Sequence, residues 1–319
     1  MRTKLFLFII GLFFLTIIIS SKEIFACESC TIPNLGRNRG TVTTESRDKK
    51  WFFKYLFEQQ KWEKLDIQAA HGLHHDGHDI HAKTTQDFHH LSLGNHLTES
   101  FTVFTEIPYV IRRSKEVEDH SILGSNQESE GWGDLFLFGD YAFFKEENKS
   151  GSLVGGIKFP AGSTDEVNSA GDKFEIELQP GTGSFDYVVG GVYKQQMNRV
   201  DLLANMAYVF KTEGARDFEF GDLFSTSLFV DYLLNPESKM FNTKVGIDAN
   251  FQYEQKQNHN GSKVPDSGGT TLLLGPALNI GATQDIAIFS SFMFPVYQNL
   301  GGVHQELDYA WTAGGKITW

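Results

Sequence analysis

Glu306-Leu-Asp-Tyr-Ala-Trp-Thr-Ala-Gly-Gly-Lys-Ile-Thr-Trp319, at the end of the chain, is the stretch whose reading decides the fold. Split by parity, one set is Leu307, Tyr309, Trp311, Ala313, Gly315, Ile317 and Trp319, and the other is Glu306, Asp308, Ala310, Thr312, Gly314, Lys316 and Thr318. Successive side chains of a strand point to opposite faces, so this is a strand with one apolar and one polar face. Aromatic residues sit near both ends of the apolar face, as the lipid-facing side of a membrane strand requires. The expectation is an all-β, outer-membrane barrel whose last strand closes against its first.

The other end of the chain predicts export. Basic Arg2 and Lys4 precede an apolar run from Leu5 to Ile19. That run is short for a membrane-spanning helix and suits a signal-peptide core. Residues 1–26 are read as the signal peptide, with cleavage after Ala26, and 27–50 as a periplasmic lead-in. Beyond it no long apolar run remains. A mean hydropathy of -0.27 excludes an α-helical membrane protein but not a barrel, in which half of each strand can be polar. The net charge of -12 argues against a nucleic-acid partner. Cys27 and Cys30 leave three readings open: a disulfide, lipid attachment at Cys27, or a pair of thiolate ligands.

Between the ends, alternation starts at Trp51, Phe53, Tyr55 and Phe57 against Lys54, Glu58 and Gln60. Further strands are read near 88–97, 101–113, 132–144, 152–160, 184–196, 199–211, 221–233, 241–256, 269–282 and 285–298, with 114–131 left as a polar loop. Together with the first and last strands these make a twelve-stranded antiparallel barrel over 51–319. Its long and short connections alternate, as long extracellular loops and short periplasmic turns would. The strand near Phe241 is the best specified. Thr243, Val245, Ile247, Ala249, Phe251 and Tyr253 face outward, and a slip of one residue would put Lys244, Asp248, Asn250, Gln252 and Glu254 into lipid. The same parity predicts a polar lumen lined by Asp140, Lys158, Asp186, Arg199, Asp201, Lys244, Asp248 and Lys316, with Glu106, Arg112, Asp134, Lys194 and Asp308 also inward. In a barrel of this size such charges either pair to fill the bore or line a narrow pathway.

The segment from His71 to His96 holds His71, His74, His75, His78, His81, His89, His90 and His96, interleaved with Asp76 and Asp79. Imidazoles in a loop can gather around Zn, Cu, Ni or Fe, so His71, His74, His75, His78, His81, His89 and His90 are candidate metal ligands. A solvated loop that charges in mild acid is the plainer reading. No cofactor is otherwise required.

Three Gly-rich motifs stand out: Gly131-Trp-Gly-Asp134, Gly156-Ile-Lys-Phe-Pro-Ala-Gly162, and Glu177-Leu-Gln-Pro-Gly-Thr-Gly-Ser-Phe-Asp186. With the barrel pattern, they resemble the outer-membrane family of transporters of the MetA phenol-degradation pathway type, over about Trp51 to Trp319. The His-rich segment lies outside the common pattern. The resemblance implies a monomeric barrel that passes small molecules and supplies no catalytic residues. Catalysis is not expected from the residues either. The best outward serine by parity is Ser291, among Ala287, Phe289 and Met293, and no base adjoins it. The resulting expectation is a channel or transporter for small polar molecules or ions. Its partners would be outer-membrane lipid, the solute, and the barrel-assembly machinery through the last strand. The alternatives are a surface metal-binding protein anchored by its barrel, and a barrel for apolar, aromatic compounds.

Overall fold

The computed structural model describes residues 50–63, 81–116, 126–168, 171–236, 241–265, 267–300 and 305–319. The signal-peptide reading and both cysteines lie outside them. The strands are β1 (Trp51–Glu63), β2 (His81–His96), β3 (Phe101–Glu116), β4 (Asn126–Trp132), β5 (Leu135–Lys145), β6 (Lys149–Phe159), β7 (Asp186–Met197), β8 (Val200–Phe210), β9 (Phe218–Glu219), β10 (Leu223–Leu233), β11 (Asn242–Glu254), β12 (Asn258–His259), β13 (Ser262–Lys263), β14 (Gly269–Gly281), β15 (Ile286–Leu300) and β16 (Glu306–Thr318). All neighbours pair antiparallel.

β4 and β5 both run along β3, broken only at Gly133-Asp134, and so act as one wall strand. Counted in this way, the sheet is a closed barrel of twelve antiparallel strands. Closure is made by β16 on β1: Trp51 N–H donates to the Trp319 carbonyl at 3.1 Å, and Trp319 N–H donates back at 3.0 Å. β9, β12 and β13 form a separate small sheet in the long connections. Among the described residues no helix is long and apolar enough to cross a membrane.

The polar segment expected to be loop over 114–131 is partly strand. β4 carries Asn126–Glu130 up alongside the top of β3. No lipid alternation marks it because it stands at the rim, where both faces can be polar.

The outward set holds through most of the wall. On β11, Val245 and Ile247 are exposed while Asp248 and Asn250 are buried, the register that parity requires. On β16, Trp311, Ile317 and Trp319 face out, and Ala310, Thr312, Lys316 and Thr318 are buried. Below Tyr309 in sequence the expectation fails. Lys61 pairs with Tyr309 but Trp62 pairs with Leu307, so Asp308 is an extra residue on β16. This bulge turns Leu307 inward, where it packs on Trp62, Leu273, Met293 and Ala310. It leaves Asp308 at the rim, 3.6 Å from Lys61, rather than in the lumen. Ser291 is likewise reversed: it is buried inside with Ala287, Phe289 and Met293. Ser290 faces out instead, accepting from Trp311 Nε1 at 3.1 Å.

Candidate functional site

The candidate site is the lumen, which has three parts. The lowest opens between the short turns, on the side of both barrel ends. It is a cavity of about 960 Å³ walled by Phe52, His96, Phe104, Asp140, Lys194, Asp201, Lys244 and Lys316, among others. Lys244 Nζ donates to Asp201 Oδ2. Lys316 sits over the Phe52 ring at 4.7 Å, and His96 packs on the same ring at 5.6 Å. We call this space the vestibule.

Above the vestibule the lumen divides into an apolar and a charged wall. Phe104 stacks on Phe138 at 4.8 Å, and Phe138 on Phe136 at 5.8 Å, which makes an aromatic ladder climbing from β3 to β5. Phe136 and Phe138 belong to a buried cluster with Val154, Val188, Ala207, Val209 and Leu223, from β6, β7, β8 and β10. Facing strands β1–β3 carry charge. Glu106, 2 % exposed, accepts from Ser92 Oγ at 2.9 Å, lies 3.4 Å from Lys54 Nζ and 3.2 Å from His90 Nδ1. A polar lumen was expected, and one part of its wall is apolar. The reason is local: the inward apolar side chains of neighbouring strands β5–β8 and β10 lie side by side and bury against one another.

The third part lies at the opposite end of the lumen. The connection between β6 and β7 bends inward and is fastened by the three Gly-rich motifs. Lys158, inward on β6, lies 3.1 Å from Asp134 and 2.6 Å from Asp186, with all three side chains buried. Lys158 also donates to Thr182 and Ser184 Oγ. Asp134 accepts from the Gly162 and Thr182 N–H groups at 3.0 Å each. Asp186 accepts from Ser184 Oγ at 2.9 Å and from Thr212 N–H at 3.1 Å. One ammonium thus holds two carboxylates, and the carboxylates hold the loop backbone. Further along, Gln179 (2 % exposed) bonds the Glu166 backbone in both directions and donates to the Phe174 carbonyl, while Arg112 donates to the carbonyl of Gln179. Outside the wall, in the same loop, Lys173 hydrogen-bonds Asp165 and holds its carboxyl below the usual range.

The glycines explain why the loop can lie so close. A Cβ on Gly181 would stand 2.5 Å from the carbonyl carbon of Gly162, and one on Gly133 would stand 3.1 Å from the Pro180 carbonyl oxygen. Backbone crosses backbone here, which only glycine permits. Gly181→Ala is expected to lower barrel stability by about 1–3 kcal/mol through overpacking, read by denaturant unfolding in liposomes.

Of the charges expected in the lumen, Asp140, Asp201, Lys244 and Lys316 stand in the vestibule wall, with Lys194. Asp248 is buried higher on β11, and Lys158 and Asp186 belong with Asp134 to the fastening of the β6–β7 connection, which we call the latch. Arg199 is corrected: it is exposed in the turn between β7 and β8, where Asn198 takes a positive φ of 54°. The turn sits one residue later than expected, which takes Arg199 out of the strand. Among the histidines, 71, 74, 75 and 78 lie outside the described residues, as does the His81 side chain. His89 faces outward and bonds the Tyr55 hydroxyl at 2.8 Å, whereas His90 is buried inside. As neighbours on opposite faces of one strand, His89 and His90 cannot ligate a common ion. The residues that parity reading passed over are Phe136 and Phe138; Leu135–Phe138 is apolar at every position, so it carries no alternation to orient it.

A family model described as "Putative MetA-pathway of phenol degradation" matches residues 87–299, two-thirds of the chain. The chain belongs to this family. All three Gly-rich motifs fall inside the matched stretch. No functionally curated protein matches the sequence. Among solved structures, the fold is similar to that of an outer membrane channel from Pseudomonas putida F1, with a TM-score of 0.61 and 14 % identity over 86 % of this chain and 97 % of that one. The β domain of the Bordetella autotransporter BrkA (TM-score 0.48, 7 % identity, covering 85 % and 100 %) and the NanC porin (0.42, 8 %, 83 % and 100 %) are more distant barrels. The chain has the fold of an outer-membrane β-barrel.

Proposed function

We propose that this family member is a passive channel for small solutes that combine an apolar ring with a polar or charged group. The observation that supports this reading is the junction above the vestibule. There the charged wall of Lys54, Glu106 and Lys316 meets the ladder of Phe52, Phe104, Phe138 and Phe136. A solute moving along that junction keeps its ring against aromatic faces and its polar group against paired charges. The phenol in the family's description is of this class. A purely ionic pathway remains the second reading, supported by the charges of the vestibule.

Planar bilayers distinguish the two. With benzoate added on one side, brief current blocks are expected, and Phe104→Ala and Phe138→Ala should each shorten them severalfold. Steady conductance that ignores benzoate, but changes ion preference on Lys244→Glu, would favour the ionic reading. Metal binding by the His-rich segment is a separate proposal, now without His89 and His90. Micromolar zinc in the same bilayer tests it, and unchanged current together with no zinc retained in solution would dismiss it.

A further inference from the structure

We propose that the outer wall of β1–β3, at the rim above the lipid band, is a binding site for a phosphorylated glycolipid of the outer leaflet. Four cations project outward here from adjacent strands: Lys61 on β1, Lys83 on β2, and Arg113 and Lys115 on β3. Lys83 stands directly opposite Lys115. Thr85, two residues on from Lys83, stands opposite both Lys61 and Arg113, so the four surround one point on the wall. Like charges directly opposite on neighbouring strands repel, and an anion seated between them reverses the sign of that interaction.

Carboxylates already fix the edges of this group. Glu63 lies 3.0 Å from Lys61 and 2.5 Å from Lys83, and Asp87 and Glu128 hold Arg113 at 2.9 and 2.7 Å. These bonds orient the heads without covering them: the side chains of Lys83 and Arg113 remain 45 % and 48 % exposed. Lys115 is exposed and has no ion-pair partner among the described residues. Phosphate, with several acceptor oxygens and a double charge, can take the free donors of Lys83, Arg113 and Lys115 together.

The wall below supplies the lipid half of the site. Tyr309, opposite Lys61 on β16, stacks on Phe292 at 5.0 Å, and the Lys61 ammonium is 5.9 Å from the Tyr309 ring. Tyr109 and Trp132 meet edge to face at 5.2 Å beneath Arg113. A ligand with phosphates above and acyl chains below matches this order along the barrel axis, which free phosphate does not.

The test uses the full chain refolded in detergent, with native mass spectrometry reading binding of diphosphoryl lipid A, monophosphoryl lipid A and inorganic phosphate. Lys83→Ala with Lys115→Ala is expected to weaken diphosphoryl lipid A binding at least tenfold, with monophosphoryl lipid A intermediate for the parent chain. Heat-modifiable migration shows that the variant still forms its barrel. Equal binding by parent and variant would overturn the proposal, as would lipid binding indifferent to phosphate number. Displacement of lipid A by millimolar inorganic phosphate would make this a free-anion site and overturn it too.

Discussion

Lys158→Ala is expected to leave a barrel that is less stable by about 3–5 kcal/mol and conducts more, in larger and noisier steps. Removing the ammonium strands Asp134 and Asp186 together in a buried site, and breaking a buried pair from one side costs that much. The two carboxylates then face each other without the cation that stood between them. The structure can relieve this by letting the loop that starts at Ala161 swing out, since its backbone is held through Asp134 at Gly162 and Thr182. Single-channel recording reads the conductance and limited proteolysis reads the loop. Asp134→Asn, which keeps a polar group at the Thr182 N–H, should do the same more weakly. A Lys158→Ala barrel with parental conductance and an uncut loop would mean that the latch only braces the wall.

Ile247→Arg is the second large effect expected, at about 2–4 kcal/mol of destabilisation in liposomes. Ile247 lies on the lipid side of β11, 58 % exposed, in the middle of the outward set from Thr243 to Tyr253. An arginine there must hold its charge in hydrocarbon or drag it to the rim. The neighbouring Asp248→Asn, one residue away on the lumen side, is expected to cost less and to act on conductance instead. Denaturant unfolding of both in the same lipid checks the order; equal costs would mean that the two faces are assigned wrongly.

How much of this was legible depends on whether a strand carried a polar set. β11 and the end of β16 did, so their faces were fixed by the cost of charge in lipid, and the barrel followed from them. β15 did not. Ile286, Ile288, Phe292 and Phe294 alternate with Ala287, Phe289 and Met293, so both parities read as lipid-facing and Ser291 was assigned to the wrong side. β5 failed in the same way, which hid Phe136 and Phe138. Leu307 and Asp308 failed differently, because an inserted residue resets parity without leaving a mark in composition. The latch was visible as three Gly-rich motifs, but not as one object. Lys158, Asp134 and Asp186 are brought together by the register of β5, β6 and β7, which sequence spacing does not contain.

The bond between Tyr309 and Gln59 joins residues 250 positions apart in the chain. Bringing such distant ends together costs about 5 kcal/mol of chain entropy before any contact returns it. Every other wall pairing is made between strands that follow one another closely, so these can zip in sequence while β1 waits with its outer edge open. Folding of this chain therefore has a late, slow step at a single place. Until that step, the intermediate is a curved sheet with two bare edges, open to pairing with a second chain. A chain stopped before β16 is expected to stay in that state rather than form a smaller barrel, so the thirteen residues of β16 set the timing of folding as well as its end point.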